Sequence, residues 1–333
     1  MPSKYRTAAF QQLHRRVLTL GLLPVLLLLI FAMAANALLA APKSTSSDSA
    51  QPMIVSGDWL ATHLNDPSLV ILEVGEEDGY KHSHIPGAQF LDYDRISTPM
   101  EMGKSLMLEL PPISQLVSVF EKLGVSNHSH IVLYFRSDWV TPTTRVYWTL
   151  DYMGLASNTS ILDGGYPAWR GANKPITADV KVVAPGKIAA HPRPEIVANA
   201  DWVSAHLDRP GTDIVDARAS VYYTGDKGDG TPRKGHIPGA TNLPYTSIVD
   251  EQDKFKTKDA LEQLFRDAGI KPGDLVVSYC HIGQRATVIY FVARYLGYDA
   301  RMYDGSWEDW SQRKELPVIT GKDPGKAPGK TAR

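Results

Sequence analysis

In the second half of the chain, short apolar runs alternate with segments whose apolar residues recur at helical spacing. Residues 213–217 (Asp-Ile-Val-Asp-Ala) and 275–279 (Leu-Val-Val-Ser-Tyr) predict short buried strands. Residues 258–268 put Leu261, Leu264 and Phe265 on one face of a helix, and residues 286–296 do the same with Val288, Phe291, Val292 and Tyr295. Residues 201–207 predict a short capped helix with an acidic start. Strands alternating with helices predict α/β layers around a mainly parallel sheet. In such sheets, sites lie at the carboxyl ends of the strands.

The same pattern occurs twice. Asp58-Trp59-Leu60 matches Asp201-Trp202-Val203, and His63-Leu64 matches His206-Leu207. His84-Ile85-Pro86-Gly87-Ala88 recurs as His236-Ile237-Pro238-Gly239-Ala240, after a Gly-rich insert spanning residues 224–234. Tyr134 matches Tyr279, and Asp163-Gly164 with Trp169 match Asp304-Gly305 with Trp310. These ordered matches predict two copies of one fold, over residues 53–177 and 196–319. Residues 178–195 link them, and the polar tail 320–333 is expected to be disordered.

Composition narrows the function classes. The net charge is −1, so no basic excess exists to hold a nucleic-acid backbone. The single cysteine, Cys280, excludes an intrachain disulfide and a multi-thiolate zinc cluster. Lys4, Arg6, Arg15 and Arg16 precede an uncharged run at 17–41, which predicts an export signal. Pro24 and the alanine-rich end favour a cleaved peptide, with Ala35-Asn36-Ala37 as a small-x-small site. The alternative is an uncleaved anchor, the chain's sole expected membrane contact. Both readings predict a periplasmic or extracellular protein, or one anchored facing that side. Residues 42–52 read as a flexible spacer.

Cys280 directly follows the strand 275–279, and His281-Ile282-Gly283-Gln284-Arg285 leads into a helix. The amides of such a loop converge above a helix N-terminus and cradle an anion. The same field favours a thiolate, and Arg285 adds a permanent charge. Gly283 allows a tight turn. A lone cysteine is often a small buried hydrophobe, but this polar loop points to a nucleophile.

These residues resemble the tandem rhodanese-type sulfurtransferases. The resemblance covers about 53–319. It rests on the two His-Ile-Pro-Gly-Ala boxes, on Val215-Asp216-Ala217-Arg218, on Tyr279-Cys280 with its loop, and on Tyr303-Asp304-Gly305-Ser306-Trp307. It implies two rhodanese-like domains, with the nucleophile in the second. It also implies a Cys280 persulfide that carries sulfane sulfur from a small anionic donor to cyanide or a thiol. Arg218, Arg285 and His281 would bind the donor, and the amides of Ile282, Gly283 and Gln284 would serve as loop donors. No metal or organic cofactor is implied, and fused domains suggest a monomer. The six-residue Cys280–Arg285 loop is one residue shorter than that of cysteine phosphatases, which favours attack on sulfur.

The chain departs from better-known members of that family. His281 and Ile282 stand where thiosulfate enzymes often carry Arg-Lys. The Gly-Ser-Gly-Val-Thr of mercaptopyruvate enzymes is absent, and Tyr222, Tyr223 and Thr224 stand where those enzymes have a further arginine. Thiosulfate is therefore the expected donor, with 3-mercaptopyruvate, or a sulfur-relay or anion-binding module, as alternatives. The first copy has Phe135 in place of Cys280 and Gly75 in place of Arg218, so it is expected to be inactive.

Overall fold

The structure is a computed structural model that describes residues 51–99, 105–137 and 140–327 of the 333-residue chain. The expected export segment 1–41 lies outside the described residues, as does most of the spacer and residues 328–333. Among the described residues, no helix is long and apolar enough to cross a membrane.

The first copy forms a sheet of β1 (Ile54–Val55), β2 (Leu69–Val74), β3 (Gln89–Leu91), β4 (His130–Phe135) and β5 (Thr159–Leu162). The second forms β6 (Val197–Ala198), β7 (Thr212–Asp216), β8 (Thr241–Asn242), β9 (Leu275–Tyr279) and β10 (Asp299–Tyr303). The strand orders are β1-β5-β4-β2-β3 and β6-β10-β9-β7-β8. Every pairing is parallel. Both sheets are therefore the α/β layers that the sequence predicts. The central strands β4 and β9 are almost wholly buried, which explains their continuous apolar runs.

The first helix of each copy starts alike. Ser56 accepts from the Trp59 amide (3.1 Å), and Asn199 accepts from the Trp202 amide (2.8 Å). Each such cap is worth about 1 kcal/mol. The cap of the second is thus Asn199, with Asp201 in the first turn rather than at the start. The predicted helices at 258–268 and 286–296 are present as Lys258–Asp267 and Ala286–Tyr295.

The two copies meet through helices Thr141–Tyr152 and Ala286–Tyr295. Equivalent positions pair with each other there. The Thr144 and Thr287 hydroxyls lie 2.7 Å apart, and Gln284 Nε2 donates to Thr141 Oγ1 at 3.2 Å; both pairs are separated by 143 residues. Contact between equivalent residues is the signature of an approximate two-fold relation between the copies. Tyr147 meets Phe291 edge to face at 4.8 Å, and Tyr290 donates to Asp151 at 2.7 Å. One apolar cluster consequently runs through both copies, and Cys280 belongs to it.

The linker lies along the first copy, where Glu121 O accepts from the Gly186 amide (2.7 Å) and Met153 O from that of His191 (3.0 Å). Residues 320–327, expected to be disordered, instead cross the second copy. The Gly321 amide donates to Thr224 O, Pro324 O accepts from the Gly239 amide, and the Ala327 amide donates to Asp208. These bonds give the polar backbone partners that its composition does not reveal.

Candidate active site

Cys280 directly follows the central strand β9, at the carboxyl edge of its sheet. Cys280 is fully buried and is in no disulfide. Around it lies a cavity of about 90 Å³ lined by Cys280, His281, Ile282, Gln284 and Arg285. That is far below the roughly 300–1,000 Å³ of sites for drug-sized ligands, so it suits a small donor.

The loop backbone is held from outside and open inside. Cys280 N–H donates to Ser306 Oγ (3.1 Å), and Ser306 Oγ donates to Tyr303 O (2.8 Å). The carbonyls of Cys280 and His281 accept from the Trp307 (3.0 Å) and Glu308 (2.9 Å) amides. The amides of His281, Ile282, Gly283 and Gln284 donate to no acceptor among the described residues. Gly283 is buried and His281, Ile282 and Gln284 are half-buried, and a set of open amides beside a thiol forms a nest for an anion. Gly283 adopts φ +78, and a Cβ there would lie 2.5 Å from Asp304 O. Only glycine fits this turn.

Ser306 itself adopts φ +51. Its counterpart Gly165 has φ +54, and a Cβ at Gly165 would lie 2.7 Å from Phe135 O and 2.8 Å from the Phe135 ring. In the first copy Phe135 fills the space. In the second, beside the smaller Cys280, a serine stands at that position and anchors the Cys280 amide.

Arg218 is not among the residues lining the cavity. It is 1% exposed. Its Nε and Nη2 donate to Asp216 (2.6–3.1 Å), Nη2 to Gly235 O (2.7 Å) and Nη1 to Asp229 (3.2 Å), and it stacks over Trp307 at 4.6 Å. Burial opposes its charge, but the Asp216 carboxylate and then Asp229 hold it more firmly protonated than an ordinary arginine. Arg285 does line the cavity and lies over the Tyr245 ring at 5.6 Å. His281 lines it too. Burial lowers the pKa of its ring, outweighing the nearby Asp229 carboxylate. Asp229 comes from the Gly-rich insert, and Thr231 holds it through a 2.6 Å bond. Asp229 and Ser306 are not among the site residues that the sequence predicts; the Gly165–Ser306 mismatch within the repeat is a legible signal for Ser306. Among the described residues, no group of three or more His, Cys, Asp or Glu could hold a metal.

The first copy lacks this constellation. Phe135 replaces the cysteine, and Arg136 after it bonds Glu73 (Nη2, 3.1 Å) and Ser83 O.

Two rhodanese-fold sheets in tandem, with a cysteine on an open-amide loop, define the class. The rhodanese-like domain matches residues 56–172 and 199–313, and the chain belongs to that family. The chain is similar to the sulfur carrier protein TtuD of Thermus thermophilus: 31% identity over 287 residues, 81% of this chain and 98% of that one. It is also similar to the 3-mercaptopyruvate sulfurtransferase of Escherichia coli, with 30% identity over 277 residues, 79% of this chain and 96% of that one. Among solved structures it matches SseA from Escherichia coli, a 3-mercaptopyruvate sulfotransferase. That match has TM-score 0.67 and 28% identity and covers 77% of this chain and 98% of that one.

Proposed function

We propose that the protein is a sulfurtransferase that takes sulfane sulfur from thiosulfate onto Cys280 and hands it to cyanide or a thiol. The observation that carries this reading is the run of open amides from His281 to Gln284, three of them on residues that line the small cavity beside Cys280 (His281, Ile282 and Gln284). The Cys280 thiolate attacks the outer sulfur of the donor. The donor's S–S bond breaks, and sulfite leaves with the electron pair. The loop amides and Arg285 stabilise the charge on the persulfide. An acceptor then attacks the outer sulfur, the Cys280 S–S bond breaks, and the thiolate returns. Arg218 acts here as a positioning residue, since its donors are already engaged by Asp216, Asp229 and Gly235.

Thiosulfate is favoured over a carboxylate donor by the residues after Arg218. Tyr223 stacks on His236 and donates to Ala240 O, and Thr224 donates to Asp226, so neither offers a cation. A second reading, 3-mercaptopyruvate as donor, is supported by the similarity to the Escherichia coli enzyme. The basic and apolar N-terminal 41 residues support work outside the cytoplasm. Steady-state assays with each donor, using cyanide or dithiothreitol as acceptor, test the reading. The expected result is turnover with thiosulfate that Cys280→Ser abolishes. Preferential turnover with mercaptopyruvate selects the second reading. Absence of turnover with both donors overturns the two together.

A further inference from the structure

We propose that Arg145, carried by the catalytically silent first copy, is a positioning residue for the cysteine loop of the second; the proposal rests on the sulfur-transfer reading above. Arg145 lies on helix Thr141–Tyr152 and is fully buried. Its Nη1 donates to Gly283 O at 3.1 Å and to Asp304 Oδ1 at 2.6 Å, its Nη2 donates to Leu108 O, and its guanidinium lies over Trp148 at 4.4 Å. One rigid fork thus joins the first copy to the apex of the loop that carries the open amides.

The geometry gives this contact a direction. A trans peptide points its C=O and N–H to opposite sides. Holding the Gly283 carbonyl toward Arg145 therefore turns the Gln284 amide away from Arg145, on a residue that lines the Cys280 cavity. Gly283 has no room for a side chain, because Asp304 and Arg145 lie where its Cβ would stand. A second route runs through Asp304. Arg145 and the Leu110 amide (3.1 Å) fix its carboxylate. Two residues on, Ser306 accepts from the Cys280 amide. The first copy therefore sets the orientation of both ends of the anion nest.

The test measures single-turnover sulfite release from thiosulfate, with 3-mercaptopyruvate and pyruvate release as the parallel arm. The variants are Arg145→Lys, Asp304→Asn and the interface control Tyr290→Phe in the full chain. Arg145→Lys keeps the charge and loses the fork. The expected result is a fall in kcat/KM for persulfide formation of about 100-fold, the scale of a small misplacement of reacting groups. Tyr290→Phe removes an interdomain hydrogen bond away from the loop and is expected to keep the wild-type rate. Should Arg145→Lys fail to fold, Asp304→Asn reads the same clamp from its other side, with a smaller loss expected. A folded Arg145→Lys or Asp304→Asn protein at the wild-type rate overturns the role of Arg145 and leaves sulfur transfer standing. Equal losses in Tyr290→Phe also overturn it, because the effect would then be that of domain docking. A wild-type protein that releases neither product overturns the sulfur-transfer reading and this role with it.

Discussion

Arg136 and Arg218 occupy equivalent places in the two copies, although they come from different positions of the repeat. Each guanidinium bonds a strand-end carboxylate, Glu73 or Asp216. Each also bonds the carbonyl just before the His-Ile-Pro-Gly-Ala box, Ser83 or Gly235, and each lies over an equivalent ring, Tyr166 or Trp307. In the first copy the arginine follows β4, so Gly75 and Gly79 must be small; a Cβ on them would lie 3.0 Å and 2.4 Å from the Arg136 side chain. In the second copy the arginine follows β7. That frees the position after Cys280 for His281, which faces the cavity.

Arg136 is accordingly expected to matter for stability and not for sulfur chemistry. Arg136→Met leaves the buried Glu73 carboxylate without its cation, a loss of about 3–5 kcal/mol. Adding Glu73→Gln should recover much of it. Denaturant unfolding measures both. Persulfide formation per folded molecule should stay at the wild-type level, and a selective loss of it would show that the first copy's arginine serves the site.

Ser306 carries two separable burdens, its positive φ and its bond to the Cys280 amide. Ser306→Ala keeps the strained backbone and orphans the amide, which costs about 1–3 kcal/mol. Ser306→Gly orphans the amide but relieves the backbone. Thermal unfolding should therefore rank wild type above Ser306→Gly and Ser306→Gly above Ser306→Ala. Equal midpoints for the two variants would mean that the positive φ costs nothing here.

His281 is expected to act as a pH-dependent cation for the anionic donor. The charged groups around it are Asp229, Arg218, Glu308 and Arg285. Burial moves its pKa below the ordinary histidine value, so the ring gains charge only in mildly acidic solution. The KM for thiosulfate should fall as pH drops through that range, and the trend should vanish in His281→Asn. A KM with the same pH dependence in both proteins would remove His281 from donor binding.

Far from the site, Asp213 at the start of β7 faces Asp274. Burial, together with that neighbouring carboxyl, pushes its pKa up to about 6. A carboxyl raised on folding binds its proton more tightly in the native state. Its stabilising contribution is thus full below the unfolded value near pH 4 and is lost as pH rises toward 6. Unfolding midpoints followed across that window should show a decline that Asp213→Asn flattens. An unchanged slope in the variant would assign the decline to other groups.

The strand and helix order was legible because β4, β9 and helices such as Lys258–Asp267 present clean apolar periods. The place of Cys280, the proposed nucleophile, at the carboxyl edge of a central strand was legible because it follows an apolar run. Helix Thr141–Tyr152 was not legible in the same way. Its Thr141, Thr143, Thr144, Arg145 and Thr149 look like a solvated face, yet all are buried, and Thr141, Thr144 and Arg145 meet the other copy. Burial against a second domain leaves no apolar period in the chain. The family resemblance put Arg218 forward as a donor-binding cation, and only the three-dimensional placement of Asp216, Asp229 and Gly235 shows how many partners it already holds.

The central claim is a sulfur atom carried on Cys280. Intact-protein mass after brief exposure to thiosulfate, with sulfite release followed in parallel, tests it most directly. The account predicts a gain of one sulfur atom with one equivalent of sulfite, reversed by cyanide and absent from Cys280→Ser. No mass gain with thiosulfate or with mercaptopyruvate, or an undiminished gain in Cys280→Ser, would contradict it.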